Sequence, residues 1–289
     1  MPSGRGPCGS QPPDIGHRGL RIYSFNPLRS LGIPGARYLK PEQMYALGPV
    51  LRAADWVLFP EYWQVDALVY GLKCRIFPSI ATYHIGHDKI GMTRAFWAVC
   101  PNAVPVTRIA RSGPVAREEI LDTFEFPFVA KDIRSAGGAG VFRIESVADW
   151  TAYERDREVF YVQEYLPIHR DLRMVVIGDR IAAAYWRESA EGTFHTNVAR
   201  GGRVSDAPVP AAARDLVLEV AEALSIDHAG FDVAEVDGRF YIFELNPFFG
   251  HQGLVERGIR PGVLIHDHIT RITPETGGPD VPGDLARAG

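Results

Sequence analysis

The stretch Gly230-Phe231-Asp232-Val233-Ala234-Glu235-Val236-Asp237-Gly238-Arg239-Phe240-Tyr241-Ile242-Phe243-Glu244-Leu245-Asn246-Pro247 constrains the fold more than any other. Two apolar runs flank an Asp-Gly pair, the composition of a β-hairpin. Acids nevertheless interrupt both runs at the ends far from the turn. Glu244 and Asn246 are two apart on a strand, so their side chains share a face. Whether Asp232 joins them depends on the loop. A two-residue loop, Asp237-Gly238, sets Asp232 against Phe243 and turns it away from Glu244. A three-residue loop, Val236 to Gly238 with Gly238 left-handed at a bulge, sets it against Ile242, and three oxygen ligands converge. Convergence therefore predicts the longer loop. Two carboxylates and an amide oxygen are hard ligands suited to magnesium, with manganese as the second candidate, held jointly with nucleotide phosphates. The plain reading puts Asp232 at a solvated strand end and Glu244 on an exposed face. The apolar neighbours Phe243, Leu245, Phe248 and Phe249 weigh against it, because a buried carboxylate is costly unless paired or coordinated.

A second feature lies upstream. Phe126-Pro127-Phe128-Val129-Ala130-Lys131 is a strand that runs into Asp132-Ile133-Arg134-Ser135-Ala136-Gly137-Gly138-Ala139-Gly140 and returns as Val141-Phe142-Arg143-Ile144. Glycines let backbone N–H groups approach phosphate oxygens, and the adjacent lysine adds a compact positive charge. No Gly-Lys-Ser/Thr follows, so this is not a Walker A loop, and a strand rather than a helix follows, so it is not a dinucleotide fingerprint. A plain hairpin tip accounts for the glycines equally well. Gln163-Glu164-Tyr165-Leu166-Pro167 ends an apolar strand, and Asp171 and Arg173 alternate along the next, whose partner carries Arg187. Thr196 to Gly202, a polar and glycine-ended run, reads as a surface loop.

The remaining chain supplies the frame. Short strands at 20–25, 55–59 and 74–77 alternate with helices at 42–53 and 65–71, the pattern of a small parallel α/β unit. A helix over 88–99 and a strand over 104–109 follow. Ser146 and Asp149 stand at capping-box spacing for a helix through Arg157. Gly178-Asp179 is a hairpin turn, and Ala211 to Leu224 is an amphipathic helix. Residues 1–19 and 273–289, rich in Gly, Pro and Ser, read as a disordered leader and tail around an N-terminal unit (20–86) and a larger domain (87–272).

Composition excludes more than it selects. The formal net charge of −4 offers no basic field for nucleic acid, and no apolar run reaches the length of a membrane span. Cys8, Cys74 and Cys100 match no metal-ligand spacing and read as free thiols in a reducing cytoplasm. Trp56, Tyr62 and Trp63 read as core, with a homodimer interface as the other use of such side chains.

Taken together, the motifs resemble the ATP-grasp superfamily, and within it the branch of the ribosomal-protein glutamate ligases. The matching pieces, in order, are Asp88-Lys89, Phe128-Val129-Ala130-Lys131 with its glycine loop, Gln163-Glu164-Tyr165, Asp171-Leu172-Arg173, Phe194 to Gly202, Gly230-Phe231-Asp232 and Glu244-Leu245-Asn246-Pro247. The resemblance implies an α/β (α+β) ATP-grasp fold: two α+β subdomains that clasp the nucleotide, preceded by the small parallel unit. It implies an ATP-dependent carboxylate–amine ligase that forms an acyl phosphate from a small-molecule or peptide carboxylate. Lys89 and Lys131 would contact phosphates under a loop of Gly137, Gly138 and Gly140. Gln163, Glu164 and Tyr165 would hold adenine and ribose, with Asp171 also on the nucleotide side. Asp232, Glu244 and Asn246 would hold magnesium, and Arg187, Asn197 and Arg200 would lie near the transferred phosphate. Arg173 and His195 would border the acceptor. Glu188 and His195 stand where the glutamate ligases tend to carry basic residues, which sets the acceptor end apart from them. The rival readings are a kinase of the same fold and a nucleotide-binding module without catalysis.

Overall fold

The computed structural model describes residues 19–134, 140–188 and 203–274. Three sheets organise them. The first is parallel, with β1 (Ile22–Ser24) between β2 (Ala36–Tyr38) and β3 (Trp56–Leu58), and β4 (Ile76–Phe77) beyond β3. This is the expected small α/β unit, and α1 (Gly48–Arg52), α2 (Tyr62–Asp66) and α3 (Ile80–Ile85) connect and cover its strands. The helix expected from residue 42 begins only at Gly48. Pro49 sits in its first turn, the one helical position that a residue without an N–H suits. Beyond α2 the chain continues as a π-turn over Ala67–Gly71. Trp56 is core, as expected, but Tyr62 and Trp63 are 39% and 51% exposed, which corrects the reading of all three as core.

Helix α4 (Lys89–Val99) leads out of this unit, capped by the Asp88 carboxylate, which accepts from the Gly91 N–H at 2.8 Å. The second sheet has the order β5 (Thr107–Arg111), β8 (Val159–Glu164), β6 (Phe128–Lys131), β7 (Val141–Ile144), antiparallel throughout. The strand expected at 104–109 starts late because Pro105 cannot donate to a ladder. Helices α5 (Pro114–Thr123) and α6 (Val147–Glu154) pack on this sheet through Ile120, Trp150 and Tyr153. Ser146 caps α6 as its spacing predicts, but the helix stops at Glu154, where Arg155 turns extended, short of the expected Arg157.

The third sheet, also antiparallel, runs β11 (Arg203–Ser205), β10 (Arg180–Glu188), β9 (Arg170–Ile177), β12 (His228–Val236), β13 (Arg239–Asn246). Gly178-Asp179 forms the expected hairpin, pairing Ile177 with Arg180. Period-two alternation sorts its side chains. Leu172, Met174, Trp186, Phe231, Val233 and Ile242 face α7 (Ala211–Ala223) and α4 in one core. On the opposite face, Val175, Ile177 and Ala183 pack against β1, β4 and the C-terminal α9 (Pro261–Arg271), and the short α8 (Gln252–Val255) precedes it. This second core joins the parallel unit to the third sheet. Each large side chain buried there contributes about 1.5–3 kcal/mol. Farther along the same face the apolar residues give way to Asp171, Arg173, Arg187, Asp232 and Glu244. Among the described residues no helix is long and apolar enough to cross a membrane.

Candidate functional site

The hairpin between β12 and β13 does not have the longer loop. Val236 pairs with Arg239 across Asp237-Gly238, both at positive φ (51° and 73°), the geometry of a two-residue type I′ turn. That loop alone would turn Asp232 away from Glu244. A β-bulge corrects the phase: Val233 pairs with Ile242, but Asp232 pairs with Glu244 and Gly230 with Asn246, so Phe243 is the extra residue. Asp232, Glu244 and Asn246 share a face as expected, by a different device from the one expected. Ile242 and Leu245 remain buried, and Phe243, Glu244 and Asn246 are partly open on the site side.

The sheet register sets charges beside one another. Arg173 on β9 lies directly opposite Asp232 on β12, and Arg187 on β10 directly opposite Asp171 on β9. The Arg173 Nε is 2.8 Å from Asp232 Oδ1. Arg187 spans two acids: Nε donates to Asp171 Oδ1 at 2.8 Å, and Nη2 lies 2.5 Å from Asp171 Oδ2 and 3.0 Å from Asp232 Oδ1. Burial works against the Arg187 charge, yet Asp232 and Asp171 outweigh it and hold the guanidinium pKa above its ordinary value. Gly230 makes room for this cluster, since a Cβ there would stand 2.5 Å from Arg173 Nη1.

The second sheet supplies the facing wall. Lys131, at the end of β6, is buried, and its Nζ lies 5.5 Å from the ring centre of the bulged Phe243 and 5.9 Å from that of Tyr161. Burial pushes its ammonium down to about 8 and Lys89 adds to this, while Glu244 and Asp232 oppose it. Helix α4 ties the walls together. Lys89 donates its N–H to Ile133 O at 3.2 Å, and its Nζ lies 3.7 Å from Glu244 Oε2. Thr93 bonds Tyr161 across 2.7 Å. Between the walls lies an open cleft of about 440 Å³, bounded by Asp88, Lys89, Ile133, Arg134, Glu244 and Asn246 and, farther out, by Tyr62 and His87.

The other expected site residues fall as follows. Gln163 is buried, its Nε2 donating to Thr107 Oγ1 at 2.9 Å and Tyr161 Oη at 3.1 Å, so its side chain serves the sheet. The Glu164 carboxylate accepts from the Val106 N–H at 2.7 Å, and Tyr165 lies under the Arg143 guanidinium at 4.9 Å. Gly140 is at the turn entering β7. Gly137, Gly138, His195, Asn197 and Arg200 lie outside the described residues. Phe243, Tyr62 and His87 were not singled out as site residues. A two-residue Asp-Gly turn that leaves the acids out of phase is the one signal that calls for a bulge residue.

Glu244 and Asn246 suit a hard divalent ion, whereas Asp232 is held by Arg173 and Arg187 and could offer an ion only the lone pairs they leave. Glu244 is half-buried, with an ion-pair partner in Lys89 at 3.7 Å, and Asn246 Oδ1 accepts one bond from the Phe248 N–H at 2.9 Å, which leaves it a second lone pair. Among the described residues no group of three or more His, Cys, Asp or Glu gathers as a metal cluster, so an ion here would rely on the Asn246 amide.

Comparison with known proteins agrees with this architecture. A family model described as a RimK-like ATP-grasp domain matches residues 93–262. A probable alpha-L-glutamate ligase of Citrobacter koseri and a ribosomal protein bS6–L-glutamate ligase of Escherichia fergusonii are each 32% identical over 160 residues, 52% of this chain and 52% of theirs. The chain thus spans about half the length of the curated relatives it matches. A RimK domain ATP-grasp protein of Sphaerobacter thermophilus superposes with a TM-score of 0.62 at 19% identity, over 81% of this chain and 89% of that one. The D-alanine–D-alanine ligase of Bacillus anthracis, solved with ATP, gives 0.66 at 14% identity over 90% of this chain and all of its own. These two likenesses show the ATP-grasp fold.

Proposed function

Because the chain belongs to the RimK-like ATP-grasp domain family, we propose that it is an ATP-dependent ligase joining a carboxylate to an amine. The carrying observation is the bulge at Phe243, which sets Glu244 opposite Asp232 and holds the Phe243 ring under the Lys131 ammonium, near enough to both acids to feel their charge. A strand does not give up a regular ladder in its interior without a use for the altered side-chain phase.

The proposed reaction is a matter of charge. A substrate carboxylate attacks the γ-phosphorus of ATP, the bond to the bridging oxygen breaks and ADP leaves. An amine then displaces phosphate from the acyl phosphate and loses a proton, leaving an amide. The first step brings two anions together, so cations must surround them. Lys131 and Lys89 supply that charge on the phosphate side. Arg173 and Arg187, oriented by Asp171 and Asp232, supply it on the side of the transferred group. Asp232, Glu244 and Asn246 would hold magnesium, or manganese in its place, which when bound neutralises phosphate oxygens. Lys131 keeps its proton below about pH 8, and its dry setting strengthens each contact to an anion. A cytoplasmic setting suits Cys74 and Cys100, both free thiols.

Product analysis tests the proposal. Incubation with magnesium-ATP and matched acid and amine mixtures should release ADP and free phosphate in equal amounts with an amide. A stable phosphorylated product would instead make the protein a kinase, and ATP turnover unaffected by any acid would reject both.

A further inference from the structure

The cleft is bordered by Tyr62 and His87 as well as by the charged residues already described, and the chemistry there is different. Tyr62 opens α2 just past the carboxyl end of β3, the end of a parallel sheet where ligands are bound. Its ring is braced by Tyr83 and Phe248, both edge-on, at 5.3 and 5.9 Å, and meets the His87 ring at 4.9 Å. Although braced, it is 39% exposed and borders the cleft. His87 lies in the turn between α3 and α4, which packs hard on the end of β13. A Cβ on Gly86 would stand 2.1 Å from Pro247 Cγ. Met92, Leu245 and Pro247 complete an apolar border.

Among the described residues bordering the cleft the cations are Lys89 and Arg134, and both gather at Ile133, whose carbonyl accepts from the Lys89 N–H and which Arg134 follows in the chain. Arg29 lies nearby, over the Phe248 ring at 4.9 Å, but it donates from Nη2 and Nη1 to the carbonyls of Phe248 and Phe249 at 2.9 and 3.2 Å. A side-chain carboxylate seated beside Tyr62 would find the Tyr62 hydroxyl and the His87 ring as donors but no lysine or arginine committed to that end among the described residues bordering the cleft, a poor exchange for its hydration. A flat, uncharged ring would meet two ring faces or edges already held in place, which limits the entropy lost on binding.

We propose that the Tyr62–His87 end of the cleft selects a substrate whose non-reacting part is an uncharged aromatic ring, in place of an acidic side chain. This rests on the ligase reading of the same cleft, and the test keeps the two apart. The full chain is loaded with magnesium and a non-hydrolysable ATP analogue. Binding of L-phenylalanine, L-tryptophan, L-glutamate and L-alanine is then measured by calorimetry and saturation-transfer NMR, with the thermal shift from the nucleotide recorded beside it. The ring-bearing amino acids should bind about tenfold tighter than glutamate or alanine. Tyr62→Ala and His87→Ala should each remove most of that preference, Tyr62→Phe should keep it, and all three should keep the nucleotide shift. Glutamate binding as tightly as phenylalanine, ring affinity unchanged in Tyr62→Ala, or no binding of either ring compound would overturn the assignment. A nucleotide shift absent from the wild type would overturn the ligase reading itself.

Discussion

Lys131 should lower the stability of the free protein, and replacing it with methionine should reveal by how much. The ammonium is buried at the end of β6, and its pKa falls from 10.5 to about 8. At about 1.4 kcal/mol per pH unit, that drop corresponds to roughly 3 kcal/mol of lost stability at pH 7, where folded and unfolded chains both carry the proton. The sign follows from linkage. Between pH 8 and 10.5 the unfolded chain binds more protons than the folded one, so this cost shrinks as pH rises and is gone above 10.5. Lys131→Met keeps the stem and removes the charge, but it also forfeits the contacts with the Tyr161 and Phe243 rings, about 0.5–1 kcal/mol. The expected net gain at pH 7 is about 2 kcal/mol, roughly 4–8 °C in Tm for a chain of this size. Urea unfolding from pH 7 to 10 should show wild type and variant converging, with the nucleotide-induced shift lost in the variant. A variant less stable than wild type at pH 7, with a difference constant in pH, would refute the reasoning.

Other perturbations follow from single contacts. Gly230→Ala should force Arg173 off Asp232 and lower stability by about 1–3 kcal/mol, read by urea unfolding; no loss would mean that the guanidinium is free to move aside. Asp171→Ala strips the buried Arg187 of one of its two acids and should cost up to about 3–5 kcal/mol, while Arg187→Met with Asp171→Leu should recover part of it. Asp227, half-buried beneath α3, accepts from the Ser79 N–H and Thr82 Oγ1 through one oxygen, and desolvation raises its pKa from 3.8 to about 6. Its contribution is therefore fullest below pH 3.8 and is lost as pH rises through 6. Asp227→Asn keeps the accepting oxygen and should remove that pH dependence in thermal melts between pH 4 and 7.

Much of the fold was legible because its signals are local. The Ser146 cap, the Gly178-Asp179 turn and the alternating strands of the third sheet each depend on residues within a few positions of one another. Three of the four strands of the parallel unit showed for the same reason, as apolar runs stopped by Asn26-Pro27, Pro60 and Pro78, whereas β2 carries no apolar run, with Arg37 at its centre, and did not show. Two helix and strand starts were placed too early because Pro49 and Pro105 act at the first turn and in the ladder, effects that periodicity does not register. The candidate site was legible in its membership and not in its geometry. Asp232, Glu244 and Asn246 do meet, but through a bulge at Phe243, whose position depends on packing Ile242 and Leu245 into the core on one side while exposing Glu244 on the other. The ion pairs of Arg173 and Arg187 are set by cross-strand register between residues 59 and 16 positions apart. Tyr62 looked like core because exposure is a tertiary property; its braced, half-open ring becomes visible only when Tyr83 and Phe248 are in place.

The central claim is that the Asp232–Glu244 face and Lys131 form a magnesium-ATP site, and thermal unfolding with and without magnesium-ATP tests it most directly. Wild type and Glu244→Gln are the proteins to compare, because Glu244 is half-buried and its exchange leaves the buried Arg187–Asp171–Asp232 cluster intact. At a hundred times the dissociation constant the ligand should stabilise the wild type by about 2.7 kcal/mol. The account predicts that this shift requires magnesium and is lost in Glu244→Gln. A shift that is absent at millimolar nucleotide, or the same in both proteins, would contradict it.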